Sequence, residues 1–381
     1  MTKYTILLFL IIQGFWGQSQ SLYNSIEADN KHAISFDKIV NNSVQTFLND
    51  SAMVGLSIGI YLNGKDFFFN YGSTQKEKQI LPTRRTIYEI GSISKTFTGT
   101  LLARAVKNKM VKIDDDIRMY LEGNYPNLEY NGQPIKLSHL VSHISGLPTF
   151  LPDNPKLFDN PNFDILPFTI SKIQNNYTKT NFFKDLHNVK LDTIPGYNFH
   201  YSNSGAQLLK FILEKVYNKP FDKLLKEFIT KPLKMYETNS LYRKNNLKML
   251  AKGYNGNGKL MPTIPQIQDA AGGIFSTTAD MLRYLKFHIN ENNEVTALSH
   301  KVTTGDINDY AIGLNWQEQI IEKKYKKIWQ SGGTFGFGSY CVVYPDLNIA
   351  IILLSNESDQ STQGKLEEIA NKIFNKRSLE K

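Results

Sequence analysis

Gly55-Leu-Ser-Ile-Gly-Ile-Tyr-Leu62, Asn63-Gly64 and Lys65-Asp-Phe-Phe-Phe-Asn-Tyr71 form one stretch in which two β-prone runs flank an Asn-Gly pair. Asn and Gly accept the positive φ of a two-residue hairpin turn, so the stretch predicts two antiparallel strands. Near the other end, Gly338 to Tyr344 and Ile349 to Leu354 repeat the pattern around Pro345-Asp-Leu-Asn348. Helices are expected outside both pairs. Ser35 reads as an N-cap before Ile39, Val40, Val44, Phe47 and Leu48, and Gln363 to Phe374 is amphipathic. Between the strand pairs, Thr96 to Val106, Ala206 to Val216 and Met281 to Ile289 carry apolar residues at helical spacing. Asn- and Pro-rich connections at 150–200 and 235–270 separate them. The fold class expected is α/β (α+β): an antiparallel sheet lobe with N- and C-terminal helices, from 35–96 and 291–377. A mostly helical lobe, 97–290, is inserted into it.

Bulk properties narrow the function. The chain has 381 residues, 41% hydrophobic and 21% charged, as in ordinary folded proteins. Lys3, the apolar run Ile6 to Ile12 and the small residues Gly17 and Ser19 predict a signal peptide over 1–19, because so short a run cannot span a bilayer. Residues 20–34 are polar and read as a flexible leader. An exported protein, periplasmic or secreted, without a stable membrane anchor is therefore expected. The formal charge of +9 is spread along the chain with no dense basic block, which argues against nucleic acid. Cys341 is the only cysteine, so no intramolecular disulfide is possible. His139 and His143 lack a carboxylate cluster, and Asp114-Asp-Asp116 lacks the spacing of a calcium loop. No metal and no cofactor are expected.

Chemistry concentrates elsewhere. Ser-x-x-Lys sets a lysine one helical turn from a serine hydroxyl, on the same face, when the serine opens a helix. The pattern occurs at Ser35–Lys38, Ser73–Lys76 and Ser92–Lys95. The first reads as a cap and the second as a solvated turn. Only Ser92 follows a short apolar approach and a glycine, then enters a helix. Gly55-Leu-Ser57-Ile-Gly59 matches a nucleophile elbow, but it lies in a strand where that elbow needs a strand-turn-helix setting. Tyr201-Ser-Asn203 begins another predicted helix; a tyrosine near a lysine can exchange protons with a serine or a leaving group. A second Tyr-x-Asn, Tyr125-Pro-Asn127, reads as a surface turn. Trp329 to Gly338 is dense in glycine just before a strand, an edge at which backbone N–H groups can bind an oxyanion.

The ordered set resembles the class C β-lactamase family, which also contains D-Ala-D-Ala carboxypeptidases, penicillin-binding esterases and D-amino-acid peptidases. Tyr88 to Gly99 is similar to its nucleophile segment, and Pro195-Gly196 with Tyr201-Ser-Asn-Ser204 to its second motif. His143 to Pro148, Ala271 to Ser276 and Gly313 to Trp316 resemble further signatures. The resemblance implies a β-lactamase/transpeptidase-like fold with the site between its lobes. It implies Ser92 as nucleophile, Lys95 and Tyr201 sharing the proton transfers, and Asn203 holding Lys95 and the substrate amide. The backbone N–H groups of Ser92 and Gly333 would bind the oxyanion. Two positions depart from the pattern. Gln330-Ser331-Gly332 stands where the family's Lys-Thr-Gly does, bringing no charge for a substrate carboxylate. Phe150 stands where an amide-binding glutamine is common, which suits an apolar acyl group. The leading expectation is a hydrolase of β-lactams or D-Ala-D-Ala peptides. Its rivals are an esterase with an apolar acyl pocket and a penicillin-binding sensor that hardly turns over.

Overall fold

The computed structural model describes residues 27–241 and 248–376; the expected signal peptide lies outside them. The helices are α1 Ser35–Leu48, α2 Ser94–Lys107, α3 Leu137–Val141, α4 Leu166–Asn175, α5 Lys179–Leu186, α6 Asn203–Tyr217, α7 Phe221–Leu225, α8 Thr278–Ile289, α9 Glu294–Ser299 and α10 Thr362–Asn375. The main strands are β1 Gly55–Leu62, β2 Lys65–Gly72, β3 Thr304–Asp306, β4 Tyr310–Ile312, β5 Gln317–Ile321, β6 Tyr325–Gly333, β7 Gly338–Tyr344 and β8 Ile349–Ser355. They form one eight-stranded antiparallel sheet in the order β2-β1-β8-β7-β6-β5-β4-β3. The mixed α/β architecture expected from the sequence is the one observed. The terminal strand pairs meet where β1 pairs with β8, one strand in from the β2 edge of the sheet.

Alternation along β8 explains the layering. Ile351 and Leu353 point to one face, where α1 and α10 bury Phe36, Val40, Val44, Leu366 and Ile373 against them. Ile352 and Leu354 point to the other, into the core shared with α2, α6 and α8. Helix α2 is buried on nearly every side, from Ser94 through Ala103, and forms the axis of that second core. Ser57 is a strand residue whose hydroxyl bonds Asn70 Oδ1 at 2.8 Å, so the elbow-like motif is structural.

Several expectations are corrected. Ser35 is the first residue of α1, with Ile34 at the N-cap. The Asp37 carboxylate instead accepts the N–H groups of Ala33 and Ile34 at 2.9 and 3.3 Å. Residues 27–34, read as part of a flexible leader, are held in place. Glu27 and Asp29 bond the outer side of β2, and Asn30 Nδ2 donates to Tyr71 Oη at 3.0 Å. β2 is an edge strand with unpaired backbone groups, and the leader covers them. The 150–200 connection contains α4 and α5. Tyr125 is buried, its edge against the His187 ring, where a surface turn was expected. Of the glycine-rich run Trp329 to Gly338, the first half, through Gly333, is the end of β6 itself, and Thr334 to Phe337 form the turn before β7 at Gly338.

Gly99 gives a test of this packing. An alanine in mid-helix is ordinarily favoured over glycine by about 1 kcal/mol. Here a Cβ on Gly99 would lie 2.2 Å from the Leu314 carbonyl oxygen, a backbone atom that cannot turn aside. Gly99→Ala is therefore expected to destabilise by roughly 1–3 kcal/mol, read as a lower urea midpoint.

Candidate active site

The site begins with a turn that glycine makes possible. Gly91 has φ +52°, and the single 3-10 turn Gly91–Ile93 feeds α2. A Cβ on Gly91 would lie 2.6 Å from Gly333 N; one on Gly332 would lie 2.3 Å from Ile90 O and 2.8 Å from Ser92 N. Glycine at both positions lets the Ser92 turn and the end of β6 touch backbone to backbone. Ser331 and Gly333 line the cleft, while Gly332 packs behind it against the nucleophile turn.

Lys95, in the first turn of α2, is fully buried. Its Nζ lies 3.0 Å from Ser92 Oγ, 2.7 Å from Tyr201 Oη, 2.8 Å from Asn203 Oδ1 and 2.5 Å from Ala271 O. Ser92 Oγ and Tyr201 Oη are also directly hydrogen-bonded. Burial pushes the Lys95 amine below its ordinary 10.5, opposed by Tyr201. Asn203 Oδ1 and Ala271 O can only accept, so each takes an N–H of Lys95, while the remaining direction at Nζ faces the Ser92 and Tyr201 hydroxyls. A lone pair there, once the amine is deprotonated, meets the requirement of a general base.

Tyr201 and Asn203 are set by the start of α6. Ser202 is the N-cap, accepting from Gly205 N at 2.9 Å and donating to Pro148 O at 2.8 Å. Thr149 O accepts from Asn203 N at 2.9 Å, and Thr149 Oγ1 donates to Tyr201 O at 3.2 Å. The His143 ring lies against the Tyr201 ring at 4.4 Å, and His143 Nδ1 accepts from Ser202 N at 3.2 Å. Burial, with Lys95 and His200 nearby, pushes His143 down to about 3, so the ring is neutral. The segments 143–149 and 271–276 therefore act through atoms the sequence reading did not single out: the His143 ring, the Thr149 carbonyl and the Ala271 carbonyl. Their signal in the sequence was the resemblance of these segments to family signatures and their order along the chain, which named no role for these atoms.

Gln330 is nearly buried, and its amide oxygen and one amide N–H are engaged. Nε2 donates to Asn315 O at 2.8 Å, and Oε1 accepts from Gln317 Nε2 and Ser331 N, both at 3.0 Å. Asn315 Nδ2 in turn donates to Lys95 O at 2.9 Å. Gln330 thus ties β6 to β5 and to α2. The cleft beside Ser92, about 800 Å³, is walled by Phe150, Phe158, Phe163, Ile170 and Phe199. Among the described residues, Asp359 is the one lining side chain that carries a full charge. No cluster of three His, Cys, Asp or Glu able to hold a metal occurs among them.

Replacing Lys95 by Arg keeps a cation but removes the lone pair, because guanidinium does not deprotonate. Lys95→Arg is expected to lower kcat/KM by about a thousandfold or more. In the wild type, kcat/KM should rise with pH through a value below 10.5, and this limb should vanish in the variant; pH–rate profiles measure both.

The family model described as Beta-lactamase matches residues 40–372. The chain is 25% identical over 364 residues to a beta-lactamase of Pseudomonas fluorescens, covering 86% of this chain and 95% of that one. It is 26% identical over 337 residues to the D-alanyl-D-alanine-carboxypeptidase/endopeptidase AmpH of Escherichia coli (strain K12), covering 84% of each. Its fold is similar to the solved beta-lactamase/D-alanine carboxypeptidase of Pseudomonas syringae, with a TM-score of 0.75 at 21% identity over 90% of this chain and 99% of that one. The chain belongs to the beta-lactamase family, and it is a serine hydrolase.

Proposed function

We propose that this protein is exported and hydrolyses acyl compounds through a covalent intermediate on Ser92. The observation that carries the reading is the fully buried Lys95 amine, bonded at once to Ser92, Tyr201, Asn203 and Ala271 O. Ser92 Oγ attacks the substrate carbonyl carbon as its proton passes to the Lys95 lone pair. The carbonyl oxygen becomes an oxyanion bound by the Ser92 and Gly333 N–H groups. Collapse breaks the bond to the leaving group, which takes the proton through Tyr201 Oη. Water then attacks the acyl-enzyme, gives a proton to the Lys95–Tyr201 pair, and releases the acid as Ser92 regains its hydrogen. Asn203 holds Lys95 and meets the substrate amide. Export rests on the sequence of residues 1–19.

The cleft favours an ester or amide with an apolar acyl group and no carboxylate near the reacting bond. Gln330 supplies no charge and is bonded to Gln317, Ser331 and Asn315, and Phe150 heads an aromatic wall. Asp359, the one lining carboxylate among the described residues, brings no cation and is itself held by Ser361 N, Thr362 N and Lys365. A second reading, hydrolysis of β-lactams or D-Ala-D-Ala peptides, is favoured by the relatives' names.

The test combines a fluorescent penicillin, a chromogenic cephalosporin and p-nitrophenyl esters, with Ser92→Ala as control. Ester turnover that falls by about a thousandfold or more in the variant is expected. Fast cephalosporin turnover would favour the second reading, and stable penicillin label without turnover would favour a sensor. Full activity in Ser92→Ala would overturn the assignment of the nucleophile.

A further inference from the structure

Behind the aromatic wall lies a second cavity, about 710 Å³. It shares Phe150, Phe158 and Ile170 with the catalytic cleft, and continues past them to Leu157, Ile173 and Pro152. The rings of Phe150 and Phe158 stack at 6.0 Å and 10°, and both line both spaces, so this ring pair forms part of the partition between them. The rings are held differently. Phe150 follows Thr149, whose carbonyl accepts from Asn203 N and Ser204 N, and is therefore fixed to the start of α6. Phe158 ends a 3-10 turn, Pro155–Phe158, that contains no buried residue, and is itself 45% exposed.

Two of the cavity's polar wall groups, Gln174 and Thr149, already have partners. Gln174 Nε2 donates to Leu151 O at 3.0 Å, and Gln174 Oε1 accepts from Gln268 Nε2 at 3.0 Å. Thr149 Oγ1 donates to Tyr201 O. Among the described residues no Lys or Arg lines it, and Asp153 is its only carboxylate. A space of this kind suits a hydrocarbon and brings no Lys or Arg to an anion.

We infer that this cavity is the distal acyl site of the enzyme: it takes the far end of a medium or long alkyl chain whose carbonyl lies at Ser92, with Phe158 as the ring that the chain displaces. The inference rests on the acyl-hydrolase reading above and adds the substrate class, a linear acyl ester or amide rather than a short or compact one. Phe150 and Phe158 are then specificity determinants.

The chain-length profile of kcat/KM for acetyl, butanoyl, octanoyl and decanoyl p-nitrophenyl esters, below their micelle concentrations, tests this. Each buried methylene contributes roughly fourfold at most. The expected rise from butanoyl to decanoyl is therefore about tenfold or more, allowing for partial burial. Leu157→Trp and Ile173→Trp each fill the cavity away from the reacting atoms. Each should abolish the rise while leaving butanoyl turnover within about twofold of wild type, since neither residue lines the cleft that holds the reacting carbonyl. Phe158→Ala, at an exposed position, should raise the decanoyl-to-butanoyl ratio; it remains informative if either tryptophan variant fails to fold. A flat or falling profile in an enzyme that hydrolyses butanoyl ester would overturn the distal site and leave the acyl-hydrolase reading standing. So would a rise untouched by all three substitutions. Turnover of no ester at all would overturn both.

Discussion

Burying the Lys95 amine is the constraint from which the rest of the molecule can be understood. An ammonium removed from water without partners is too costly to keep, so it must either find acceptors or lose its proton. Here it does the first and is pushed toward the second. The acceptors come from three parts of the chain far apart in sequence: the Ser92 turn, the start of α6 and the 271 segment. Each is anchored in turn. Gly91 and Gly332 let the nucleophile turn seat on β6, Pro148 and Thr149 fix the start of α6, and Asn315 reaches the Lys95 carbonyl. Helix α2 is buried along its length because it carries this centre through the core.

What the sequence revealed followed from local physics. The hairpin at 55–71, the strand pair at 338–354 and the last helix were legible because their periodicity and turn residues agree with the final fold. Ser92 was legible from its approach and helix entry, and Tyr201 from its place at a helix start. The strands from 304 to 333 were not, because they are short or polar. β3 carries mostly exposed residues, and β6 contains Lys326, Lys327 and Gln330, whose polar ends find partners only in the tertiary structure. The 27–30 segment shows the same limit: Asp29 looks like a solvated acid until Asn70 is brought beside it. The Ala271 carbonyl is a backbone atom that any residue would supply, so no side chain advertises it.

Gln330 illustrates how a position can be read correctly and its role still be missed. Its sequence says that a cation is absent; its hydrogen bonds show that the amide has become a tie between β5, β6 and the Asn315 loop. The change removes an attraction for carboxylates and stiffens the wall behind the nucleophile. With the phenylalanines opposite and no Lys or Arg in the lining among the described residues, the cleft is apolar on one side and brings no cation to a carboxylate on the other. In a family whose fold hosts several acyl-transfer chemistries, such wall residues, rather than the catalytic centre, divide one substrate from another.

The central claim is that Ser92, activated by Lys95, carries the acyl group. Peptide mapping by mass spectrometry after rapid acid quenching of the enzyme with a slowly turned-over acyl donor tests this most directly. The account predicts a single acyl adduct on the peptide containing Ser92, absent in Ser92→Ala and strongly slowed in Lys95→Arg. An adduct on Ser57 or Ser331 with Ser92 unmodified would contradict it.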